Sequence, residues 1–307
     1  MVGALDVQQR LCEVCDGQLA VRFPEVRDPQ TGESFSVLQC AECGLGHTVP
    51  QPENLGRYYG STYHGGRHGM TDRMCVGRRM RFVRSVVRPA SVLDFGCGDG
   101  GFLAATSAEG WSATGVEMKP EHARIRGLEV VERVEDTAGP FDLITLWHSL
   151  EHVRSPREVL GALSARLARR GRVIVAVPNL DSHQARFFGA KWFHLDVPRH
   201  LFHFTPTALE RLFDLHGLKV MRRWNLETEI DLFGWIQSIL NGMLPSPNVL
   251  FDTLTRRGNP HKPWEIAASL LLGTLAAAVT APLVPLAARA SCGAVMIFAA
   301  EKADASE

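Results

Sequence analysis

An apolar strand that runs into a glycine-rich turn and then a helix constrains this chain more than any other feature. The segment Val92–Phe102 begins with apolar strand residues and continues with Gly96, Gly98, Gly100 and Gly101. Glycine has no Cβ, so such a turn tolerates positive φ and lets a ligand approach the backbone closely. The segment therefore predicts the first β-turn-α unit of a sheet, with a ligand at the carboxyl end of the strand.

From Ser91 onwards, short β-rich runs alternate with helical patterns, which is typical of a parallel sheet covered by helices. Pro156 and the pair Thr205-Pro206 should each begin a helix, because proline is tolerated in the first turn and threonine caps it. We predict seven strands, at Ser91–Phe95, Ser112–Glu117, Leu128–Val131, Phe141–Leu146, Arg172–Val177, Leu218–Trp224 and Cys292–Ala300.

Two cysteine pairs stand in the first 50 residues, before the alternating region. Cys12 and Cys15 form one C-x-x-C pair, and Cys40 and Cys43 form the other. Four thiolates at this spacing predict a tetrahedral structural Zn²⁺ site, since four protein ligands leave no open position for a reacting water. The cysteine pattern also indicates a reducing compartment.

The overall charge argues against a nucleic-acid partner. The chain has 33 Lys plus Arg and 33 Asp plus Glu, so its formal net charge is zero and no global basic field attracts a phosphate backbone. Met1–Arg10 contains no apolar run, so we expect no secretory signal and a cytoplasmic location.

Acidic residues near the glycine turn indicate which nucleoside it binds. Glu117 ends the second strand, 21 residues after Gly96, where a carboxylate can bind both ribose hydroxyls. Gly96, Gly98 and Gly101 also fit a dinucleotide fingerprint. Asp94 favours a different ligand, because it would repel a pyrophosphate but can orient the cationic amino-acid portion of S-adenosylmethionine.

The segment Val92–Phe102 resembles the first motif of the class I S-adenosylmethionine-dependent methyltransferases, which is an apolar strand followed by Asp-x-Gly-x-Gly-x-Gly. Phe141–Val153 looks like the family's fourth-strand motif, including a Leu-Glu-His-Val ending. A group of these enzymes also resembles this chain in its two cysteine pairs, in a Tyr58-Tyr59-x-x-x-Tyr63 run and in a Pro-Arg-His-x-x-His-Phe-Thr stretch. The resemblance implies transfer of a methyl group from the sulfonium to a nucleophile.

The resemblance and the turn together predict the residues that bind the cofactor. Glu135 is one of three acids after the third strand that could meet the adenine amino group. The predicted cofactor-binding residues are Asp94, Gly96, Cys97, Gly98, Gly100, Glu117, Met118, Glu135 and Trp147.

The methyl acceptor should lie beyond the carboxyl ends of the strands, as ligands do in open α/β sheets. His148 follows the fourth strand and is the first candidate for a general base, with His200 and His203 as alternatives. Structural packing is the competing interpretation for the histidines and tyrosines. The predicted acceptor-binding residues are Tyr58, Tyr59, Tyr63, Asn179 and Arg199.

Two apolar helical patterns, about Ile230–Leu244 and Trp264–Ala281, precede the last strand, and basic residues connect them. One interpretation is a lid packed on the sheet. The other is a hairpin that rests on an anionic membrane face or receives a lipid-linked acceptor. Between Glu265 and Arg289 lie 23 residues without a formal charge, but Pro282 should end the helix, which favours a buried or interfacial helix over a crossing one.

The prediction is thus an α/β chain with a Rossmann-like seven-stranded sheet, helices on both faces, a small N-terminal zinc ribbon and a helical insertion before the last strand. The predicted divisions are residues 1–52, 53–229 completed by 290–302, and 230–289. The predicted function is S-adenosylmethionine-dependent methyl transfer to oxygen or carbon of a small or lipid-linked metabolite. An rRNA base methyltransferase and a non-catalytic scaffold that keeps the cofactor fold remain the alternatives.

Overall fold

A computed structural model describes residues 11–59, 70–88, 90–124, 126–255 and 261–303. The strands are β1 (Leu19–Arg27), β2 (Ser34–Cys40), β3 (Gly46–Val49), β4 (Ser91–Phe95), β5 (Ser112–Val116), β6 (Glu129–Val131), β7 (Phe141–Trp147), β8 (Leu167–Pro178), β9 (Phe202–His203), β10 (Leu218–Trp224) and β11 (Val295–Lys302). The helices are α1 (Met70–Arg84), α2 (Gly101–Ala108), α3 (Glu121–Arg124), α4 (Pro156–Ala165), α5 (His183–Phe188), α6 (Pro206–Asp214), α7 (Thr228–Met243), α8 (Val249–Thr255), α9 (Pro263–Thr280) and α10 (Leu283–Arg289).

The chain divides into two compact units. The first comprises Met1–Gly66, Pro178–Ala208 and Trp224–Met296. The second comprises Arg67–Val177, Leu209–Arg223 and Ile297–Glu307. The three divisions predicted from the sequence stay a prediction.

A seven-stranded sheet organises the second unit, in the order β10-β11-β8-β7-β4-β5-β6. β4 pairs in parallel with β5 and β7, and β7 pairs in parallel with β8. The neighbouring strands β4 and β7 are mostly apolar, and most of their side chains are buried, as a sheet covered on both faces requires. The predicted Rossmann-like α/β class is confirmed, and each predicted strand is present to within a few residues, apart from an earlier start for β8.

Local capping explains where two of the helices begin. The Ser155 hydroxyl accepts a hydrogen bond from the backbone N–H of Glu158, and Pro156 occupies the first turn of α4. The Thr205 hydroxyl accepts one from Ala208 at the start of α6. Both starts agree with the sequence prediction, because a capping oxygen satisfies an N–H that has no partner within the helix.

The first unit contains a second, antiparallel sheet in the order β1-β2-β3-β9. β9 comes from the histidine-rich segment, and His203 pairs with Gly46 on β3. A Cβ added to Gly46 would lie 2.9 Å from the His203 Cβ and 3.0 Å from Leu180 Cδ2, so only glycine permits this close approach. The strand therefore joins the cysteine module to residues far along the chain.

The predicted helical insertion is present in the first unit as α7 to α10. α7 and α9 agree with the two predicted patterns to within two residues, and α9 ends at Thr280, before Pro282. Among the described residues, α9 alone is long and apolar enough to cross a membrane by length and composition, and 28% of it lies buried.

Candidate functional site

The glycine turn lies where the strand order of the main sheet changes direction. β4 is flanked by β5 on one side and β7 on the other, so a crevice opens at its carboxyl end. Gly96, Gly98 and Gly100 have φ of 72°, 57° and 77°. A Cβ on Gly96 would lie 2.7 Å from the Ser149 Cβ, and the Ser149 hydroxyl donates to the Phe95 carbonyl at 2.9 Å. The turn thus needs glycine both for its backbone and for its close packing.

Glu117 lies directly beside this turn. One of its carboxylate oxygens accepts a hydrogen bond from the Gly98 N–H at 3.0 Å, and the other accepts from the Lys119 N–H at 3.2 Å. The neighbouring Met118 side chain is 84% exposed. The structure therefore brings the predicted ribose-binding carboxylate to the glycine turn, as the chain spacing indicates.

Asp94 is buried beneath the turn, with 3% of its surface exposed. The Thr145 hydroxyl donates a hydrogen bond to it at 2.7 Å. Burial raises the pKa of Asp94 to about 7, and the nearby Glu117 charge also raises it, while Thr145 and the charge of Arg79 lower it. A cation placed near this carboxylate would favour its ionised form.

Trp147, the last residue of β7, belongs to an aromatic cluster. Its indole ring stacks on Phe82 with centroids 6.5 Å apart and meets Phe102 edge-on at 5.6 Å. The Arg79 guanidinium lies 5.1 Å from the ring centroid. The sequence did not identify Arg79 as a site residue, because Arg79 belongs to α1, which precedes the motifs that carry the family resemblance. The sequence signal for it was a basic segment just before β4.

His148 follows β7 with a φ of 54°, in the left-handed region that a side chain rarely occupies. Its Nδ1 lies 3.6 Å from a carboxylate oxygen of Glu151, which is 1% exposed, whereas 21% of the His148 side chain is exposed. The strained backbone thus holds a partly accessible imidazole whose Nδ1 lies near a buried carboxylate.

Two other predicted cofactor residues have contacts of their own. The Cys97 thiol is buried, burial raises its pKa, and a Cβ on Gly115 would lie 2.7 Å from its sulfur. Glu135 is exposed and forms an ion pair of 3.3 Å with the exposed Arg133. Cys97 therefore fills space beneath the turn, and an adenine role for Glu135 remains a prediction.

The remaining histidine candidates belong to the first unit. His203 is buried, its Nε2 lies 2.9 Å from the Thr48 hydroxyl, and burial lowers its pKa well below the usual value. His200 Nδ1 lies 2.9 Å from the His194 carbonyl. These contacts suit histidines that hold a loop in place, although a catalytic role stays a prediction.

The predicted acceptor residues also belong to the first unit. Arg199 is buried and forms ion pairs with Asp28 at 2.9 Å and Asp196 at 2.6 Å. Asn179 donates from its side chain to the Gly293 carbonyl at 3.2 Å. Tyr58 is buried and its hydroxyl donates to Glu33.

Tyr59 ends the short 3₁₀ turn at 55–58, and Tyr63 lies outside the described residues. The contacts of Arg199, Asn179 and Tyr58 stabilise the first unit, so acceptor binding by any of the five residues remains a prediction.

The four cysteine thiols of the N-terminal module converge. Cys12 Sγ lies 3.5 Å from Cys43 Sγ, Cys15 Sγ lies 3.4 Å from Cys40 Sγ, and all four sulfurs lie within 4.8 Å of one another. Tetrahedral Zn–S bonds of about 2.3 Å require sulfurs about 3.8 Å apart. The thiols therefore fit a structural zinc ion, which they would hold with no position left for substrate.

Comparison with known proteins gives a family match that covers most of the second unit and part of the first. The family model described as "Methyltransferase domain" matches residues 67–222. A ubiquinone biosynthesis O-methyltransferase of Aeromonas salmonicida is 29% identical over 149 residues, which are 42% of this chain and 63% of that protein. One of Xanthomonas axonopodis pv. citri is 33% identical over 118 residues, 33% of this chain and 49% of that protein.

The chain thus spans between about half and two thirds of the length of these curated relatives. Among solved structures, a SAM-dependent methyltransferase from Archaeoglobus fulgidus aligns with a TM-score of 0.47 and 16% identity, over 81% of this chain and all of that one.

Proposed function

Because this chain belongs to the methyltransferase-domain family, whose model matches residues 67–222, we propose that it transfers a methyl group from S-adenosylmethionine to an oxygen of a small or lipid-linked metabolite. When bound, the cofactor's sulfonium supplies the methyl group. Oxygen is chosen over carbon because the curated relatives bear the name O-methyltransferase.

The observation that carries the proposal is a pair of carboxylates on either side of one glycine turn. Glu117 already accepts a hydrogen bond from Gly98 in the turn, and Asp94 lies buried below it. Two acids at this place would repel a pyrophosphate. Glu117 suits the two ribose hydroxyls, and Asp94 suits an ammonium group. Trp147 would cover an apolar part of the same ligand.

Arg79 extends this binding site on the side of Asp94. Its charge lowers the pKa of Asp94, and its guanidinium lies over the Trp147 ring. The amino-acid portion of the cofactor carries a carboxylate next to its ammonium group, and a guanidinium binds such a carboxylate well. We therefore assign Arg79 to the carboxylate and Asp94 to the ammonium group.

His148 is the proposed general base. Its imidazole is partly exposed beside Trp147, while the carboxylate of Glu151 lies 3.6 Å from Nδ1 and favours a proton on that nitrogen. The other nitrogen, Nε2, is then an acceptor that can remove the proton from the acceptor hydroxyl as its oxygen attacks the methyl carbon. S-adenosylmethionine, held by Asp94, Arg79 and Glu117, would supply that methyl group and would keep the electron pair of the carbon–sulfur bond as a neutral thioether.

His148 suits this role better than His203, because the pKa of the buried His203 is lowered and its Nε2 is already engaged with Thr48. Cys12, Cys15, Cys40 and Cys43 would hold zinc for stability only.

Calorimetry with S-adenosylhomocysteine on the full chain tests the cofactor assignment. We expect binding by the wild type and at least a tenfold loss of affinity in Asp94→Asn and Glu117→Gln. Glu129→Gln is the matched control, since Glu129 is an exposed acid on the neighbouring β6. Binding of a nicotinamide dinucleotide in place of S-adenosylhomocysteine would overturn the proposal.

A further inference from the structure

Helix α9 buries mainly short side chains and leaves most of its large apolar side chains exposed. The buried face is lined by Glu265, Ser269, Gly273, Ala276 and Thr280. The opposite face carries Trp264, Leu270, Leu271, Leu275 and Val279, which are between 47% and 69% exposed. In the usual amphipathic helix the large apolar side chains turn inward, whereas α9 exposes five of them.

The buried face of α9 is closely packed. A Cβ added to Gly273 would lie 3.0 Å from Leu250 Cδ2 and 3.6 Å from Ile236 Cγ2. Ala276 belongs to the same buried cluster as Ile236, Leu240 and Leu250. The helix therefore packs on α7 and α8 through these small residues, together with Leu272, which is partly buried against the same cluster.

Small residues between helices and large apolar residues outward are what a helix shows when lipid surrounds it. In water, five exposed side chains of this size along one helix would leave a large area of apolar surface hydrated. The exposure continues into α10, where Leu283 and Leu286 are 39% and 57% exposed. We call these seven side chains of α9 and α10 the outer apolar face.

The ends of the outer apolar face are basic and aromatic. Lys262 is exposed immediately before α9, and Arg289 is exposed at the last position of α10. Trp264 lies in the first turn of α9 and is 53% exposed. Lysine and arginine at such positions can reach phosphate headgroups while their stems cover apolar surface, and tryptophan favours the membrane–water boundary.

We propose that the outer apolar face docks on a phospholipid bilayer that carries anionic headgroups. α9 and α10 lie in the plane of the interface, with Leu271, Leu275 and Val279 among the acyl chains and with Lys262 and Arg289 on phosphates. The proposal does not depend on the methyl-transfer proposal, because its test measures lipid binding.

Docking along the surface agrees with the structure better than crossing does. Eighteen helical residues span about 27 Å, which is short of the roughly 30 Å hydrocarbon core. In addition, α7 packs along α9 and buries Asp231, Gln237 and Ser238, which crossing would bring towards hydrocarbon.

Vesicle flotation of the full chain tests the proposal. One set of vesicles is neutral phosphatidylcholine, and the other contains about 30 mol% phosphatidylglycerol, which gives the membrane a negative surface potential. We expect the wild type to bind the anionic vesicles, and the triple variant Leu271→Gln, Leu275→Gln and Val279→Gln to bind at least about tenfold more weakly. Lys262→Gln with Arg289→Gln should abolish only the preference for anionic vesicles.

The matched control is Leu11→Gln, Val21→Gln and Met221→Gln, which replaces three apolar side chains that are 60%, 52% and 47% exposed elsewhere. This control should bind vesicles as the wild type does. Brominated acyl chains should quench the fluorescence of the wild type, and the quenching should fall in Trp264→Phe.

Equal binding by the two triple variants, or no binding by the wild type, would overturn the proposal. A concentration-dependent dimer of the wild type that the α9 triple variant loses, without vesicle binding, would overturn it in favour of an interface with a second copy. Circular dichroism of both triple variants verifies that loss of binding is not loss of folding.

Discussion

Burial strongly changes the chemistry of Asp94. Its pKa of about 7 lies above the ordinary 3.8, so the folded protein favours protonated Asp94. The ammonium group of the cofactor needs the ionised form, so we expect affinity for S-adenosylhomocysteine to rise up to about tenfold per pH unit between pH 5.5 and 7 and then to level off. Calorimetry across this range measures the effect.

The Asp94→Asn variant is the control for that pH dependence. Its affinity should be lower and nearly independent of pH, although Arg79 and Glu117 still face the position. If the variant kept the wild-type pH dependence, the titrating group would be a different one.

The same pKa shift predicts how stability changes with pH. Because the folded-state pKa is raised, the contribution from protonated Asp94 is fully present below about pH 4 and is lost as the pH rises through 7. The shift corresponds to about 4 kcal/mol when Asp94 is fully ionised. Urea unfolding should therefore show that the free energy of unfolding falls more between pH 5 and 8.5 in the wild type than in Asp94→Asn. The same dependence of this free energy on pH in both proteins would contradict the prediction.

His148 is expected to affect turnover rather than binding. We predict that His148→Ala lowers kcat by about 10² to 10⁴, as loss of a general base does, and leaves S-adenosylhomocysteine affinity within about threefold. His183→Ala is the matched control, because His183 is exposed at the start of α5. Methyl transfer from labelled S-adenosylmethionine and calorimetry separate the two effects. Unchanged kcat in His148→Ala would exclude it as the base.

The sequence could place the site residues that lie on adjacent strands or near each other along the chain. Asp94 and Glu117 end strands that pair with each other, so their proximity to the turn follows from the alternation of elements. Arg79 reaches the same site from α1, and nothing in the local pattern shows how that helix packs. The burial of His203 was also hidden, since it depends on Thr48, 155 residues earlier.

Among the elements, the turn between β4 and α2 should be the least tolerant of substitution. Gly96→Ala places a Cβ 2.7 Å from the Ser149 Cβ at a φ of 72°, so we expect a loss of stability of about 2 kcal/mol or more and loss of S-adenosylhomocysteine binding. Thermal unfolding and calorimetry measure both.

Gly110→Ala is the matched control for the turn. Gly110 has a φ of 85°, and no atom lies within 4 Å of an added Cβ. Gly110→Ala should therefore lose only the roughly 1 kcal/mol that a side chain at positive φ costs. We expect binding by this variant to be unchanged. Equal effects of the two substitutions would show that strain, and not close packing at the turn, determines the loss.

Regular elements were easier to predict than the pairing of irregular ones. β4, β7 and α9 follow from apolar patterns within single segments, and their predicted bounds agree with the structure to within one residue. β9 has two residues and is a strand only because it pairs with β3, more than 150 positions earlier. A pattern that short carries no periodicity, so the sequence indicated only an irregular histidine-rich loop.

At the scale of the whole molecule, the cysteine module contacts residues that lie far along the chain. Arg199 forms an ion pair with Asp28, and the Thr205 hydroxyl donates to the Cys43 carbonyl at 2.8 Å. These contacts join residues more than 160 positions apart, so no composition change along the chain reveals them. The module and the segment Pro178–Ala208 therefore belong to one compact unit.

This grouping predicts how metal removal spreads through the protein. We expect one Zn²⁺ per chain by elemental analysis, and its loss in Cys40→Ser because three thiolates no longer complete the tetrahedral site. Hydrogen exchange should then increase in β2 and β3 and also in residues 199–205, because β9 and Thr205 are held by the module. Cys292→Ser is the matched control, since Cys292 does not belong to the four-cysteine cluster. An increase in exchange confined to residues 11–59 would show that residues 199–205 are stable without the metal site. The β3–β9 pairing and the Thr205–Cys43 hydrogen bond would then contribute little to the protection of those residues.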